Sequence, residues 1–335
     1  MKYISVCSGI EAATVAWHDL GWTPVAFSEI EPFPSAVLAH HYPHVSNLGD
    51  MTKFKEWNLD GSVDLLVGGT PCQSFSVAGL RKGLDDPRGN LMLTFLAIAE
   101  RHRPRWIVWE NVPGVLSSNG GRDFGTFLAA LGELGYGWAF RVLDAQWFGV
   151  AQRRRRVFVV GCLGDQASAA AVLFESESVC RDSAPTHEQG KVTWWNGNAV
   201  SQTLDAVLYK GQMMPEKNRF PVIALGEKLC FPPTAKTTEI AHIAELTTPS
   251  VGVLDRLRMT SMSTASASTE NCGRVVLRRL TPSEAERLMG FPDDWTAIDY
   301  RGKPAGDDPR YKALGNSMAV PCMKWIGQRI AEDCV

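Results

Sequence analysis

The sequence lacks the patterns that mark metal-binding, exported and membrane proteins. Its eight cysteines are scattered, with no Cys-x-x-Cys pair and no Cys/His cluster at zinc spacing, which predicts reduced thiols and no metal. The apolar run after Lys2 is interrupted by Glu11, so it is too short for a signal peptide or a membrane span. We therefore expect a cytoplasmic protein with no membrane partner.

The sequence also lacks an excess of basic residues. Lys and Arg number 34 against 36 Asp and Glu, so the formal net charge is −2 and bulk charge does not predict a nucleic-acid partner. Any contact with DNA or RNA would have to come from a local basic cluster. The length of 335 residues and a hydrophobic content of 45% allow one large core or two packed lobes, and we find no internal repeat.

Strand-like and helix-like segments alternate up to about residue 162. The strand-like segments KYISVCSG, PVAFSE, VDLLVGG and RWIVWENV are each followed by a helical pattern, such as EAATVAWHDLGW after the first. This alternation predicts an α/β fold with βαβ units around a largely parallel sheet. Ligands of such sheets bind at the carboxyl ends of the strands, where Ser8, Glu29, Cys72 and Glu110 fall.

The alternation stops after residue 162. The segment 163–276 contains proline pairs and the Ser/Thr-rich run MTSMSTASAST, which predict a smaller, irregular domain with a mobile loop. Regular patterning then resumes, with a capping box expected at Thr281 and Glu284 and a final helix after Asn316. We therefore predict domains at 1–162 and 163–276, and a C-terminal part, 277–335, that returns to the first domain.

A single cysteine follows a strand-like run in the stretch GGTPCQSFS. Gly68 and Gly69 permit a tight turn close to a ligand, and Pro71 stiffens the approach to Cys72. An isolated cysteine after a strand is more often a small core residue, but this setting favours a thiol presented to a ligand. Because Glu110 ends the next strand, the sequence predicts a thiol and a carboxyl that face one pocket.

Four consecutive arginines precede a strand-like run in AQRRRRVFVVGC. Such a run is usually a solvated basic surface. Strand alternation would instead turn Arg154 and Arg156 to one face and Arg153 and Arg155 to the other. One pair could then point into the site while the other contacts phosphates.

Taken together, these motifs resemble those of the DNA (cytosine-5)-methyltransferase family, of the prokaryotic or phage type. GGTPCQSFS resembles the nucleophile loop, ENV the acidic motif, QRRRRVF the Q-x-R-x-R strand, RRLTPSEAERLMGFP the penultimate motif and GNSMAVP the last one. They occur in the family's order, and the resemblance covers about 1–162 and 278–332. It implies a Rossmann-like S-adenosylmethionine-dependent methyltransferase domain, with the irregular segment as the target-recognition domain.

The resemblance also implies a reaction on a base flipped out of double-stranded DNA. Cys72 would attack C6 of the cytosine, Glu110 would hold N3 and the exocyclic amine, and C5 would take the methyl group before it loses its proton. Arg154, supported by Arg156, would position the base and its sugar-phosphate. The implied catalytic residues are Cys72, Glu110, Asn111, Gln152, Arg154 and Arg156.

The implied cofactor is S-adenosylmethionine, with no metal. Glu29 would bind the ribose hydroxyls, Asp50 would accept from the adenine amino group, and Asn316 and Ser317 would close the pocket at the start of the last helix. The implied cofactor-binding residues are Ser8, Gly9, Ile10, Glu29, Ile30, Asp50, Met51, Pro71, Asn316 and Ser317.

The chain departs from the family pattern at two places. The first motif usually has an aromatic residue before Ser-Gly and more glycine after it, whereas here Cys7 precedes and Glu11 and Ala12 follow. In the irregular segment, Thr203 and Leu204 resemble a pair found near the end of the target-recognition domain. The long stretch that still follows them suggests an insertion at 222–275.

Two alternatives come from different functional classes. One is a related enzyme that methylates cytosine in tRNA, against which the long variable segment argues. The other is a catalytically silent DNA-binding homologue, against which the joint presence of Cys72, Glu110 and Arg154 argues. We expect a monomer that binds double-stranded DNA, with a cognate restriction endonuclease as a further candidate partner.

Overall fold

The structure is a computed structural model, and it describes residues 1–59, 61–71, 91–174, 222–225 and 276–334, with only the backbone described at 222–225 and 276–278. The first part of the chain contains, in order, β1 (Lys2–Val6), α1 (Ala12–Trp17), β2 (Thr23–Ser28), α2 (Pro32–His41), β3 (Ser46–Asn47), β4 (Leu65–Gly68), α3 (Leu91–His102) and β5 (Trp106–Asn111). Then follow α4 (Arg122–Glu133), β6 (Tyr136–Asp144), β7 (Arg155–Leu163) and α5 (Gln166–Leu173). The described remainder contains β8 (Val222–Leu225), β9 (Val276–Arg279), α6 (Pro282–Met289), β10 (Asp299–Tyr300), β11 (Lys303–Pro304), α7 (Asp307–Asn316) and α8 (Val320–Asp333).

The central sheet has seven strands in the order β3-β2-β1-β4-β5-β7-β6. Strands β1 to β5 pair in parallel, whereas β7 runs antiparallel to both β5 and β6. The direction reverses here because β6 and β7 are consecutive and joined by a short connection, which suits an antiparallel pair. The predicted α/β fold with a largely parallel sheet is confirmed.

Helices cover both faces of this sheet, so the central strands β4 and β5 are buried along their whole length. On one face, Ile4 and Leu66 belong to a buried cluster that includes aromatic side chains of α3 and α4. On the other face, Tyr3 packs edge-on against Trp17 of α1, with ring centroids 5.2 Å apart. The indole Nε1 of Trp17 donates to the carbonyl oxygen of Met323 at 2.8 Å, which ties α8 to α1.

The chain divides into two compact units. The larger unit contains the described residues 1–59, 61–71, 91–174 and 281–334, and the smaller one contains β8 and β9, which pair antiparallel. Helix α5 packs on β6 and β7 within the larger unit, so this unit extends past the expected boundary at residue 162. The run MTSMSTASAST and the pair Thr203 and Leu204 lie outside the described residues.

The C-terminal part contains one expected feature and one surprise. Thr281 caps α6, and the reciprocal hydrogen bonds with Glu284 confirm the predicted capping box. The expectation that Asn316 and Ser317 begin the last helix is wrong, because Asn316 ends α7 and the last helix begins at Val320. No helix among the described residues is long and apolar enough to span a membrane.

Candidate active site

The segment after β4 and the end of β5 lie side by side at the carboxyl edge of the sheet. The two strands pair in parallel, with Gly68 opposite Trp109, so residues 69–71 approach Glu110 and Asn111. A Cβ on Gly69 would lie only 3.0 Å from Glu110 Oε2 and 3.2 Å from Met318 Cε. A side chain at this position would crowd the carboxyl group and force it or Met318 to shift.

Two side chains of β5 hold Thr70. Trp109 Nε1 donates to Thr70 Oγ1 at 2.9 Å, and Asn111 Nδ2 donates to the Thr70 carbonyl oxygen at 2.8 Å. Asn111 Oδ1 in turn accepts from the backbone N–H of Val112 at 2.9 Å. Thr70 is therefore fixed to β5, and the next residue, Pro71, is exposed. Cys72 itself lies outside the described residues.

Glu110 forms an ion pair with Arg156. Arg156 Nε lies 3.1 Å from Glu110 Oε1, and both side chains are largely buried. Burial raises the pKa of the Glu110 carboxyl above its ordinary value, and the positive charges of Arg156 and Arg154 act in the opposite direction. Burial thus favours the protonated form of this carboxyl, whereas the two arginines favour its ionised form.

The other motif residues next to β7 point in different directions. Arg154 is buried, and its Nη2 donates to the carbonyl oxygens of Gly315 at 3.0 Å and Ser317 at 2.6 Å. Gln152 is also buried, but its Nε2 donates to the carbonyl oxygen of Leu288 in α6 at 3.1 Å. Arg154 thus holds the end of α7 in place. Gln152 connects the segment that precedes β7 to α6. In this structure Arg156 is the arginine that contacts Glu110.

Arg153 and Arg155 are exposed, whereas Arg154 is buried and Arg156 partly buried. This alternation is the one that the sequence predicts. Both arginines of the exposed pair therefore lie at the protein surface, outside the pocket.

The turn after β1 forms the second part of the site. Gly9 has a left-handed backbone with φ of 57°, and a Cβ there would meet nothing within 4 Å. Its N–H donates to Glu29 Oε2 at 2.7 Å, while Glu29 Oε1 accepts from the N–H of Glu31 at 2.7 Å. Ser8 Oγ donates to the carbonyl oxygen of Ser5 at 2.9 Å. A carboxylate at a strand end beside open backbone is an arrangement that fits a ribose.

The remaining predicted cofactor residues divide into surface and interior positions. Ile30 is 69% exposed beside Glu29, so it offers an apolar surface to a ligand. Asp50 caps the short 3-10 helix Met51–Glu56 by accepting from the N–H of Thr52 at 2.9 Å. Met51 and Ile10 are buried, which places their side chains in the core.

One pocket joins the two parts of the site. Its wall includes Ser8 and Gly9 on one side, and Gly69, Glu110 and the residues at the end of α7 on the other: Asn316, Ser317 and Met318. Of the predicted residues, the structure therefore brings Ser8, Gly9, Glu110, Asn316 and Ser317 together, with Glu29 attached through Gly9.

Sequence reasoning missed Glu11, Thr70, Trp109 and Met318 as parts of this site. Glu11 was visible only as a departure from the family's glycine-rich turn, and it also lines the pocket. Thr70 follows β4 and Trp109 lies in β5, and only the register of these two strands brings them together.

Comparison with known proteins identifies the family to which the chain belongs. The profile of the C-5 cytosine-specific DNA methylase family matches residues 1–332. The chain belongs to this family. The recognition made from the sequence motifs is confirmed.

Similar members come from bacteria and phages. The chain is 37% identical to the "DNA N-6-adenine-methyltransferase" of Escherichia phage P1, over 98% of this chain and 61% of that protein. It is 31% identical to the Type II methyltransferase M2.BsuMI of Bacillus subtilis, over 99% of this chain and 76% of that protein. The chain thus spans less than two thirds of the phage P1 relative.

The solved structures show the same fold for this C-5 cytosine-specific DNA methylase family member. A mutant DNMT2 of Spodoptera frugiperda superimposes with a TM-score of 0.63 at 18% sequence identity, covering 98% of this chain and 99% of that one. At that identity the likeness concerns the fold, which is that of S-adenosylmethionine-dependent methyltransferases. Family and fold together imply S-adenosylmethionine as the methyl donor.

Proposed function

We propose that this chain methylates carbon 5 of a cytosine in double-stranded DNA, after that base has turned out of the duplex. The observation that carries the proposal is the pocket that places the Glu110 carboxyl, paired with Arg156, in one space with Gly9 and Ser317. An enclosed carboxyl cannot reach the ring of a stacked base pair. The cytosine must therefore leave the stack before it can meet Glu110.

Glu110 prepares the base for attack. Because its pKa is raised, the protonated carboxyl can donate a hydrogen bond to N3 of cytosine while its other oxygen accepts from the exocyclic amine. Arg156 fixes one carboxyl oxygen, and Gly69 leaves room for the other. Drawing electron density toward N3 makes C6 more electrophilic, so the ring accepts a nucleophile.

Cys72 supplies the nucleophile in this proposal. It follows Pro71, whose neighbour Thr70 is anchored to β5 by Trp109 and Asn111, so the loop departs from a fixed point beside Glu110. The thiolate forms a bond to C6, and the electron pair of the C5–C6 double bond moves to C5. S-adenosylmethionine, when bound, supplies the methyl group that C5 takes up. Loss of the C5 proton and cleavage of the S–C6 bond then restore the ring and the thiolate.

The cofactor-side residues have distinct roles in the proposal. Glu29, fixed by the N–H groups of Gly9 and Glu31, would accept from the ribose hydroxyls. Ile30 would pack on the adenine ring, and Asp50 would accept from its amino group. Asn316 and Ser317 would close the pocket, held in place by Arg154.

Contact with the duplex would come from the exposed arginines. Arg153 and Arg155 are turned away from Arg154, so they can meet phosphates without disturbing the pocket. The names of the relatives include Type II methyltransferases, and we propose a cognate restriction endonuclease as the partner in the cell. We also propose that the chain acts as a monomer, with target recognition in 163–276.

The test is to identify the methylated nucleoside. The purified chain, methyl-labelled S-adenosylmethionine and double-stranded DNA should yield 5-methylcytosine in digested DNA, as measured by mass spectrometry. The same reaction with tRNA should yield no label. Label in tRNA alone, or no methyl transfer to either nucleic acid, would contradict the proposal.

A second candidate is methylation of adenine at N6. The name of the phage P1 relative, similar over 98% of this chain, favours it. Against it stands the buried Glu110 carboxyl beside the segment that leads to Cys72, because an exocyclic amine attacks a methyl donor directly and needs no nucleophile to activate the ring. The same digest separates the two candidates, since N6-methyladenine and 5-methylcytosine are distinct species.

A further inference from the structure

A buried glutamate, Glu11, forms part of the wall of the proposed cofactor pocket. It immediately follows the Ser8–Ile10 turn and lines the same pocket as Gly9 and Ser317. Its side chain is fully shielded from solvent. Glu11 is therefore part of the pocket wall, and bulk water does not reach its carboxyl group.

The backbone at Glu11 is in a conformation that glycine adopts readily and glutamate does not. Its φ is 64° and its ψ 60°, in the left-handed region. A residue with a side chain is disfavoured there, so the carboxyl is held at this point despite a backbone cost. The same side chain caps α1, because it accepts a hydrogen bond from the N–H of Thr14.

The hydrogen-bond partners of Glu11 are all neutral. Oε2 accepts from Ser5 Oγ at 2.8 Å, and Oε1 accepts from Thr14 N at 3.2 Å and Thr14 Oγ1 at 3.0 Å. Within the described parts of the chain, no Lys, Arg or His forms an ion pair with it. The carboxylate therefore lacks a counter-ion among these residues.

The groups that act on Glu11 electrostatically are acidic. Glu29, which follows β2, raises the pKa of Glu11 by repulsion between the two carboxylates. The charge of Glu11 in turn raises the pKa of Tyr3 on β1 and of Tyr42 after α2. Glu110 lies on the wall of the same pocket. Burial, opposed by the hydrogen bonds from Ser5 and Thr14, raises the pKa of Glu11 to about 7. A cation in the pocket would stabilise the ionised Glu11 carboxylate and lower its pKa, because an unpaired buried charge is costly.

We propose that Glu11 makes the pocket prefer the methyl donor to the spent product by charge. S-adenosylmethionine carries a sulfonium and one net positive charge, whereas S-adenosylhomocysteine has a neutral thioether and no net charge. An ionised Glu11 therefore stabilises the donor more than the product. This inference rests on the proposed function, because it takes that cofactor as the occupant.

The first test measures protons released on binding. Near pH 7 the Glu11 carboxyl is partly protonated, so binding the cationic donor should expel up to about half a proton. Titration calorimetry of the full chain in two buffers of different ionisation enthalpy gives this number. S-adenosylhomocysteine shares the donor's amino group, so it serves as the control and should expel fewer protons. Equal proton release with both ligands overturns the inference.

The second test uses substitutions at the same position. In Glu11→Gln the amide can keep the bonds to Thr14 and Ser5 without the charge. At pH 8 it should lower the ratio of donor affinity to product affinity by about tenfold, and it should abolish the extra proton release. Glu11→Gly, which fits the backbone, should show the same two losses. An unchanged ratio in both variants overturns the inference.

The outcomes also separate this inference from the proposed function. If wild-type chain binds both ligands without the proton difference, only the role of Glu11 fails. If it binds neither ligand, the cofactor assignment fails as well. Thermal unfolding of each variant shows whether a lost affinity reflects a lost fold.

Discussion

Arg156 on β7 and Glu110 on β5 form a largely buried ion pair, with 3.1 Å between Nε and Oε1. The two strands are antiparallel neighbours, and Glu110 pairs in register with Phe158, two residues beyond Arg156. The sheet itself thus sets the distance between the two side chains. Arg156 also opposes the rise in the Glu110 pKa that burial causes.

Removing the charge of Arg156 should affect the chemical step more than DNA binding. In Arg156→Gln we expect kcat to fall about 100-fold, because Glu110 loses the partner that orients its carboxyl group. Steady-state kinetics across pH 6–9 would show this. Arg155→Gln, at the exposed neighbouring position, is the matched control and should leave kcat within about threefold. Equal losses of kcat in both variants would contradict the role given to Arg156.

Thr70 should stabilise the turn before Cys72 through its hydroxyl group. Thr70→Val keeps the shape but leaves the buried Trp109 indole N–H without its acceptor, which should cost about 1–3 kcal/mol of unfolding free energy. Urea denaturation measures the loss. Thr70→Ser retains the hydroxyl and should lose much less. If the serine and valine variants unfold at the same urea concentration, the hydrogen bond does not contribute.

Much of the fold follows from patterns that are local in the sequence. The strand-like runs around Val67 and Val108 are apolar without interruption, and they become neighbouring parallel strands that are buried on both faces. The capping box at Thr281 could be predicted because its residues are three apart along the chain. Glu110 could be placed because strand ends share an edge.

Contacts between distant segments could not be predicted in this way. Gln152 belongs to a recognised motif, yet its side-chain amide donates a hydrogen bond to α6, more than a hundred residues away in the sequence. Helix α7 was missed because its sequence, DDPRYKALGN, has weak apolar periodicity and begins with acids and a proline. Consequently Asn316 was assigned to the wrong helix. The depth of Glu11 likewise depends on packing rather than on its neighbours in sequence.

DNA binding should weaken steeply with salt, although the chain as a whole is slightly acidic. The exposed Arg153 and Arg155 form a local basic site, and phosphate contacts release counterions. Replacing Arg155 by Gln should reduce the slope of log affinity against log salt concentration by about 1. Fluorescence anisotropy between 50 and 200 mM salt measures it. An affinity that does not change with salt in the wild type would exclude this mode of binding.

The buried Glu11 should make the fold less stable as pH rises. Its pKa is raised to about 7 from 4.5, so between these values the folded state binds more protons than the unfolded state. Wild-type stability should therefore fall relative to Glu11→Gln by on the order of 3 kcal/mol between pH 4.5 and 8. Denaturant unfolding of the cofactor-free chain at both pH values tests this. Glu133→Gln, at an exposed position, is the control, and its stability should change with pH as that of the wild type does. If the stability of Glu11→Gln also changed with pH in parallel with the wild type, the prediction would be wrong.

Cys72 should form a covalent bond to C6 of the target base, because an aromatic carbon needs a nucleophile's help to attack a methyl donor. Cys72→Ala should abolish methyl transfer, by at least about 10³-fold, while DNA binding and the melting temperature stay near wild type. In DNA with 5-fluorocytosine at the target, the C5 substituent cannot leave as a proton. Wild-type chain with S-adenosylmethionine should then give an adduct that survives denaturation on a gel.

Substitution of the acid provides the contrast for that trapping experiment. Glu110→Gln retains the thiol, so it should still form the adduct but more slowly, because a neutral amide activates the ring less well than the protonated carboxyl paired with Arg156. Cys72→Ala should give no adduct at any time. An adduct with Cys72→Ala, or methylation by that variant near the wild-type rate, would place the nucleophile elsewhere and refute the mechanism. Loss of the adduct in Cys72→Ala alone, with DNA affinity intact, assigns the bond to this thiol.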